Sequence, residues 1–255
     1  MKNKKNRIVK NEVLINNNQS GIKDQSPIIP QRSKFKGELT ITTRPDLTPK
    51  QLDLIDIILD KNVKMVFVKG PAGTTKSFLA VYASLKLIED KKISDIIYVR
   101  SAVESASHSL GYLKGDLPEK FSVYMEPLMD KLSELLPKNQ IDILKKEERV
   151  SGIPINFLRG ANFNAKSIIL DEAQNLNVKE LTTFVTRIGQ YSKAIILGDP
   201  EQSDINGKSG FYKFFNLFND SESRSNGIVT FEFTEDDILR SELVKFIVKK
   251  LRMLT

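Results

Sequence analysis

One stretch constrains the fold of this chain more than any other. The apolar run Met65-Val66-Phe67-Val68-Lys69 stops at Gly70, and after the turn Gly70–Ser77 the chain enters an amphipathic segment with Leu79, Ala83 and Leu87 on one face. A β-branched and aromatic run of that length predicts a strand, and the three-to-four spacing after it predicts a helix. A strand passed through a glycine-containing turn into a helix is half of a crossover unit, and such units pair their strands in parallel. The alternation recurs along the chain. Strands are predicted at Asp95–Arg100, Pro154–Leu158, Ser167–Leu170, Ala194–Leu197 and Ile228–Phe233. The last is expected near a sheet edge, with Ile228, Thr230 and Glu232 inward. Helices are predicted at Gln51–Leu59, Leu117–Leu136 with a break near Pro127, Val178–Ile188, Ser209–Phe218 and Glu242–Leu251. The expected fold class is α/β, a three-layer sandwich around a mostly parallel sheet, over a single domain from residue 46 to 255.

Composition removes several classes of chemistry. Cysteine is absent and His108 is the only histidine among 255 residues. Disulfides, thiolate metal sites and a cysteine nucleophile are excluded, and with a single histidine neither a zinc cage nor a Ser-His-Asp triad is expected. His108 sits in a polar stretch, where a surface role is expected. No apolar run approaches the ~18 residues of a membrane span. No apolar stretch follows the basic amino terminus, so no secretory signal is expected, and the localisation expected is cytoplasmic. The net charge of +7 is concentrated: residues 1–36 hold nine basic and two acidic residues, and the remainder balances. That tail, taken as residues 1–40, has no apolar periodicity and is expected to be disordered. It reads either as an arm for phosphate backbones or acidic partners, or as a solubilising extension.

The turn Gly70-Pro71-Ala72-Gly73-Thr74-Thr75-Lys76-Ser77 has the composition and the strand-to-helix context of a phosphate-binding loop. Glycines let backbone N–H groups turn inward around a phosphate. The following helix offers unpaired donors and the positive end of its dipole. Lys76 would place its ammonium on the β- and γ-phosphates. Ser77 would ligate Mg²⁺, which takes few protein oxygens and keeps most of its water. The usual pattern is G-x-x-x-x-G-K-[ST], and here Thr75 stands at the second fixed glycine. A β-branched residue at that point either crowds the loop or adds a hydroxyl contact.

Two later strands also end in polar turns. Ser167-Ile168-Ile169-Leu170 runs into Asp171-Glu172, and Ala194-Ile195-Ile196-Leu197 runs into Gly198-Asp199-Pro200-Glu201-Gln202. Ligands of open α/β sheets lie beyond the carboxyl ends of the strands. An aspartate there can hold the Mg²⁺ shell, a glutamate beside it can polarise an attacking water, and the Gln202 amide can reach a γ-phosphate. The aromatic residues Phe211, Phe214, Phe215 and Phe218 have helical spacing and are expected in the core.

Taken in order, Gly70–Ser77, Leu170-Asp171-Glu172-Ala173-Gln174-Asn175 and Gly198-Asp199-Pro200-Glu201-Gln202-Ser203-Asp204 resemble the PhoH family of P-loop ATPases. Arg100-Ser101-Ala102-Val103-Glu104, Leu110–Leu117 and Leu158-Arg159-Gly160 support the resemblance, which covers roughly residues 46–252. It implies a P-loop NTPase (RecA-like) core similar to the first motor domain of superfamily-one helicases. It also implies ATP as the nucleotide, with Gln51 reading adenine, Asp171 on Mg²⁺, Glu172 as catalytic base and Gln202 sensing the γ-phosphate. The family's link to RNA metabolism implies a single-stranded nucleic-acid partner, RNA before DNA. The chain departs from the family at Thr75 and at Ser101, where proline is usual.

A helicase motor draws arginines from a second domain, for which no room is expected after residue 205. Hydrolysis by one core then needs an arginine in cis, Arg240 first and Arg159 second, or one from a neighbouring copy in a homo-oligomer such as a ring. Arg240 equally suits a helix cap or an ion pair with Asp236. Besides a Mg²⁺-dependent ATPase, the sequence admits a nucleotide-gated binding module that does not hydrolyse. A small-molecule kinase fits less well, because no arginine-rich lid is seen.

Overall fold

The computed structural model describes residues 35, 37–42, 46–101, 117–158, 160–205, 207–239, 246, 247 and 250, with backbone alone over 117–123. The elements are α1 (Pro49–Leu59), β1 (Met65–Lys69), α2 (Lys76–Glu89), β2 (Asp95–Arg100), α3 (Leu117–Leu135), α4 (Lys138–Lys146), β3 (Val150–Pro154), β4 (Lys166–Asp171), α5 (Val178–Val185), β5 (Lys193–Gly198), α6 (Phe211–Leu217), α7 (Ser221–Ser225) and β6 (Ile228–Glu232). The strands form one sheet in the order β3-β2-β4-β5-β1-β6, and every pair is parallel.

Strand alternation divides the core into two layers. Val66, Val68, Ile96, Tyr98, Ile169, Ile195 and Leu197 face α1 to α4. Met65, Phe67, Ile97, Val99, Ile168, Leu170, Ala194 and Ile196 face α5 and α6. Both sheet faces are covered, which explains why the central strands read as unbroken apolar runs. Phe211, Phe214 and Phe215 are buried in the second layer, as expected. The result is an α/β three-layer sandwich around an all-parallel sheet. Because all strands run the same way, the turns after β1, β4 and β5 open at one edge, where the site forms.

Four expectations need correction. Helix α3 continues through Pro127. Leu128, Leu132 and Leu135, each fully buried, hold that face and offset the missing backbone bond. The strand expected at Pro154–Leu158 is Val150–Pro154, and Ile155–Phe157 forms a 3₁₀ turn. Gly152 disguised the strand; α3 lies so close that a Cβ there would meet the Tyr124 carbonyl at 3.0 Å. In β6 the orientation is reversed for the larger side chains: Val229, Phe231 and Phe233 pack on the α1–α2 side, while Glu232 is exposed and pairs with Lys69 at 2.7 Å. Helix α5 stops at Val185, and α4 and α7 were not anticipated. Both are short, nine and five residues, which leaves few periodic positions to read.

Phe35 and Leu39 are buried in the first layer, and the Thr42 N–H donates to the Leu135 carbonyl at 2.8 Å. Packed structure therefore reaches further toward the amino terminus than residue 46. Residues 1–34, His108 and most of the helix expected at Glu242–Leu251 lie outside the described residues. Among the described residues no helix is long and apolar enough to cross a membrane.

Lys193, at the start of β5, is 7% exposed, and its ammonium donates to the Asp60 carbonyl at 2.5 Å and to the Val63 carbonyl. Burial lowers its pKa from 10.5 to about 8. Between those values the unfolded chain holds the proton more tightly than the folded one, so stability rises with pH across that window. The gain is up to about 3 kcal/mol. Urea midpoints measured from pH 7.5 to 10.5 are expected to climb for the natural chain, and Lys193→Met is expected to flatten the climb.

Candidate functional site

The loop between β1 and α2 is held from three sides. The Gly70 N–H donates to the Gly198 carbonyl at 3.2 Å, and the Ala72 N–H donates to Asp199 Oδ2 at 3.1 Å. From the far side, the Leu239 N–H donates to the Gly73 carbonyl at 3.1 Å. Gly73 adopts φ 90°, a conformation open to glycine and costly for other residues. Thr74 is fully buried, with its hydroxyl on the Pro71 carbonyl at 2.9 Å. Among the described residues no protein acceptor takes up the N–H groups from Gly73 to Ser77. Five consecutive donors therefore stand at the amino end of a 14-residue helix, the arrangement that binds anions.

Thr75 also lies in the left-handed region, at φ 61°. Its hydroxyl accepts from Gln51 Nε2 at 2.7 Å and donates to the Thr74 carbonyl at 2.7 Å. The extra hydroxyl is thus engaged within the protein. Gln51 caps α1 in a box with Thr48 and is 0% exposed.

The Lys76 ammonium donates to the carbonyls of Gly70 at 2.6 Å and Pro71 at 2.9 Å. Burial pushes its pKa below the ordinary lysine value, while the carboxylates of Asp199, Asp171 and Glu172 pull it back up. Such a lysine has negative charge around it and only neutral carbonyls in hand. An incoming phosphate offers it a stronger partner.

Asp171, the last residue of β4, accepts from Ser77 Oγ at 2.8 Å and from the Tyr98 hydroxyl on Oδ2. Its Oδ1 accepts the Glu172 N–H at 3.0 Å. Burial, then the neighbouring Asp171 charge, raises the Tyr98 phenol far above its usual pKa, so Tyr98 stays a donor. Ser77 and Asp171 supply two oxygens suited to Mg²⁺. Among the described residues no cluster of three or more His, Cys, Asp or Glu side chains could hold a metal, so a cation here depends on phosphate oxygens as well. The residues present fit a metal that arrives with a nucleotide.

Glu172 adopts φ 56°, a left-handed conformation that costs a non-glycine residue about 1–2 kcal/mol. Its Oε2 accepts from Gln174 Nε2 at 2.6 Å, and its Oε1 lies 3.7 Å from the Arg100 guanidinium. Gln174 is 1% exposed and its Oε1 accepts the Asp199 N–H at 3.0 Å. One amide thus ties the acid pair to the turn after β5, and Asp199 ties that turn to the loop through Ala72. A second stitch joins the same strings: Asn175 Nδ2 donates to Asp204 Oδ2 at 3.0 Å, and Asn175 Oδ1 accepts the Asp204 N–H at 2.8 Å.

A cleft of about 340 Å³ gathers Ala72, Gly73, Thr75, Lys76 and Ser77 with Asp171, Glu172, Asp199 and Gln202. Gln202 is exposed at its rim. Gly70, Pro71 and Thr74 form the back of the loop, and Gln51 lies behind Thr75. Arg240 and Arg159 lie outside the described residues. Sequence reasoning gave no role to Tyr98, to Gln174, or to Lys131 and Glu134 of α3, an ion pair of 2.5 Å that lines the cleft. The signals for the first two were a tyrosine inside an apolar strand and an amide two residues past the acid pair.

The chain is similar to known proteins over most of its length. The family described as "PhoH-like protein" matches residues 44–252. A PhoH-like protein of Mycobacterium bovis is 36% identical over 209 residues, covering 81% of this chain and 57% of that protein. Protein PhoH of Escherichia coli is 30% identical over 205 residues, covering 79% and 56%. The chain therefore spans just over half the length of these relatives. Among solved structures, the large terminase of a thermophilic bacteriophage aligns with a TM-score of 0.49 and 11% identity, covering 79% of this chain and 49% of that one. With the family match running across the loop, the acid pair and the turn after β5, this chain belongs to the PhoH family.

Proposed function

We propose that the cleft binds ATP with Mg²⁺ and hydrolyses it, in work coupled to single-stranded nucleic acid, RNA before DNA. The observation that carries this reading is the meeting, in one cleft, of the unengaged N–H groups of Gly73, Thr75, Lys76 and Ser77, the Lys76 ammonium, the Ser77–Asp171 pair and the Glu172 carboxylate.

The N–H groups from Gly73 to Ser77 would cradle the phosphates, and Lys76 would exchange the Gly70 and Pro71 carbonyls for phosphate oxygens. Ser77 and Asp171 would hold Mg²⁺, which when bound neutralises charge on the β- and γ-phosphates. Glu172, oriented by Gln174, would take the proton of the attacking water. Gln202 would bind at the γ-phosphate from the rim. Arg240 is proposed as the charge-stabilising arginine; it follows in sequence on Leu239, whose N–H is bonded to the Gly73 carbonyl. If a neighbouring copy supplies the arginine instead, activity depends on a homo-oligomer.

Phosphate release from ATP, measured with and without Mg²⁺ and with single-stranded RNA or DNA, tests the proposal. Release that requires Mg²⁺ and increases with single-stranded RNA is expected. Saturable ATP binding with no release under any of these conditions would instead establish the nucleotide-gated binding module. In an active enzyme, Arg240→Ala is expected to lower turnover by roughly 10³ or more.

A further inference from the structure

We infer that Gln51 in this chain is a positioning residue for Thr75 and not a reader of the base, so the site accepts purine nucleoside triphosphates without selecting adenine through this side chain. The inference rests on the nucleotide reading and refines its substrate class. A glutamine that recognises adenine does so through a bidentate pair, its carbonyl accepting from one edge atom and its amide donating to another. Both ends of Gln51 are occupied within the protein. Oε1 accepts the Thr48 N–H at 3.0 Å, and Nε2 donates to Thr75 Oγ1 at 2.7 Å. The side chain is 0% exposed, so no base edge can reach it without dismantling the cap of α1.

The bond has a clear use where it stands. Thr75 occupies a left-handed position that a β-branched residue adopts rarely. Its hydroxyl is held between Gln51 and the Thr74 carbonyl, which fixes the residue opening α2. A glycine at this position would need no such anchor. The pair is therefore a compensated one: threonine in place of glycine, and glutamine turned inward to hold it.

The test is a double-mutant cycle on Gln51→Ala and Thr75→Gly, with ATP and GTP kcat/KM and dissociation constants measured for every variant. The natural chain is expected to use ATP and GTP within about threefold of each other. Lost bidentate recognition would be worth roughly five- to a hundredfold. Gln51→Ala is expected to weaken both nucleotides equally, and the double variant to recover most of that loss. Thr75→Ala, which leaves α1 and its cap untouched, is expected to weaken both equally as well, should Gln51→Ala fail to fold. A natural preference for ATP of tenfold or more that Gln51→Ala erases would overturn the inference while leaving the nucleotide site standing. Effects that add in the double variant would overturn it too. Absence of binding to either nucleotide in the natural chain would overturn both readings together.

Discussion

Lys76→Ala is expected to remove Mg²⁺-dependent phosphate release, with a loss of roughly 10²–10³ or more in turnover and a weakening of ATP binding. The ammonium is the one side-chain cation that the loop itself brings to the cleft. It now rests on two neutral carbonyls with three carboxylates drawing on its charge. Exchange for phosphate oxygens replaces two contacts to neutral carbonyls with contacts between opposite charges. A preorganised donor aimed at developing charge contributes a factor of about 10²–10³ where one has been removed elsewhere. The loop keeps its other anchors, from Gly198, Asp199 and Leu239, so the variant should fold with an unchanged circular dichroism spectrum. Steady-state phosphate release and calorimetric ATP titration of both proteins check this outcome. Turnover unchanged in the variant would place catalysis outside the cleft.

Glu172→Gln is expected to separate binding from chemistry. Positioned bases contribute roughly 10²–10⁴ in rate, so turnover should fall by that factor while ATP affinity stays within a few-fold. The amide retains an oxygen for the Gln174 Nε2 donor, so the chain from Glu172 through Gln174 to Asp199 survives the change. Gln174→Ala breaks that chain and leaves the carboxylate present but unheld. Its turnover should drop by about 10- to 100-fold, the usual cost of losing a partner that orients a working side chain. Single-turnover rates and ATP titrations of the three proteins rank them. A Gln174→Ala loss equal to that of Glu172→Gln would mean that orientation is the whole of the glutamate's contribution.

The fold was legible wherever the physics is local. Apolar runs at Met65–Lys69 and Ala194–Leu197 are strands because both faces are buried, and helices follow where apolar spacing is regular, as over Gln51–Leu59. What was lost depended on neighbours distant in sequence. Gly152 looks like a loop until α3 is laid against it, and Pro127 looks like a break until the leucines after it are buried. The site divides the same way. The charged and loop residues announce their chemistry through residue type and place at strand ends. Tyr98 meets Asp171 across 73 residues, and Gln174 meets Asp199 across 25. A single sequence marks each of these residues by its place but not the partner it meets. Gln51 shows the reverse case, since the family resemblance implied a base contact and its two amide ends are committed within the protein.

The most direct test is a crystal structure with Mg²⁺ and a non-hydrolysable ATP analogue. The β-phosphate is expected against the N–H groups of the loop, with Lys76 moved from the Gly70 and Pro71 carbonyls onto phosphate oxygens and the metal on Ser77, with Asp171 in its shell. A nucleotide bound elsewhere, with Lys76 still on those two carbonyls and Ser77 still donating to Asp171, would contradict it.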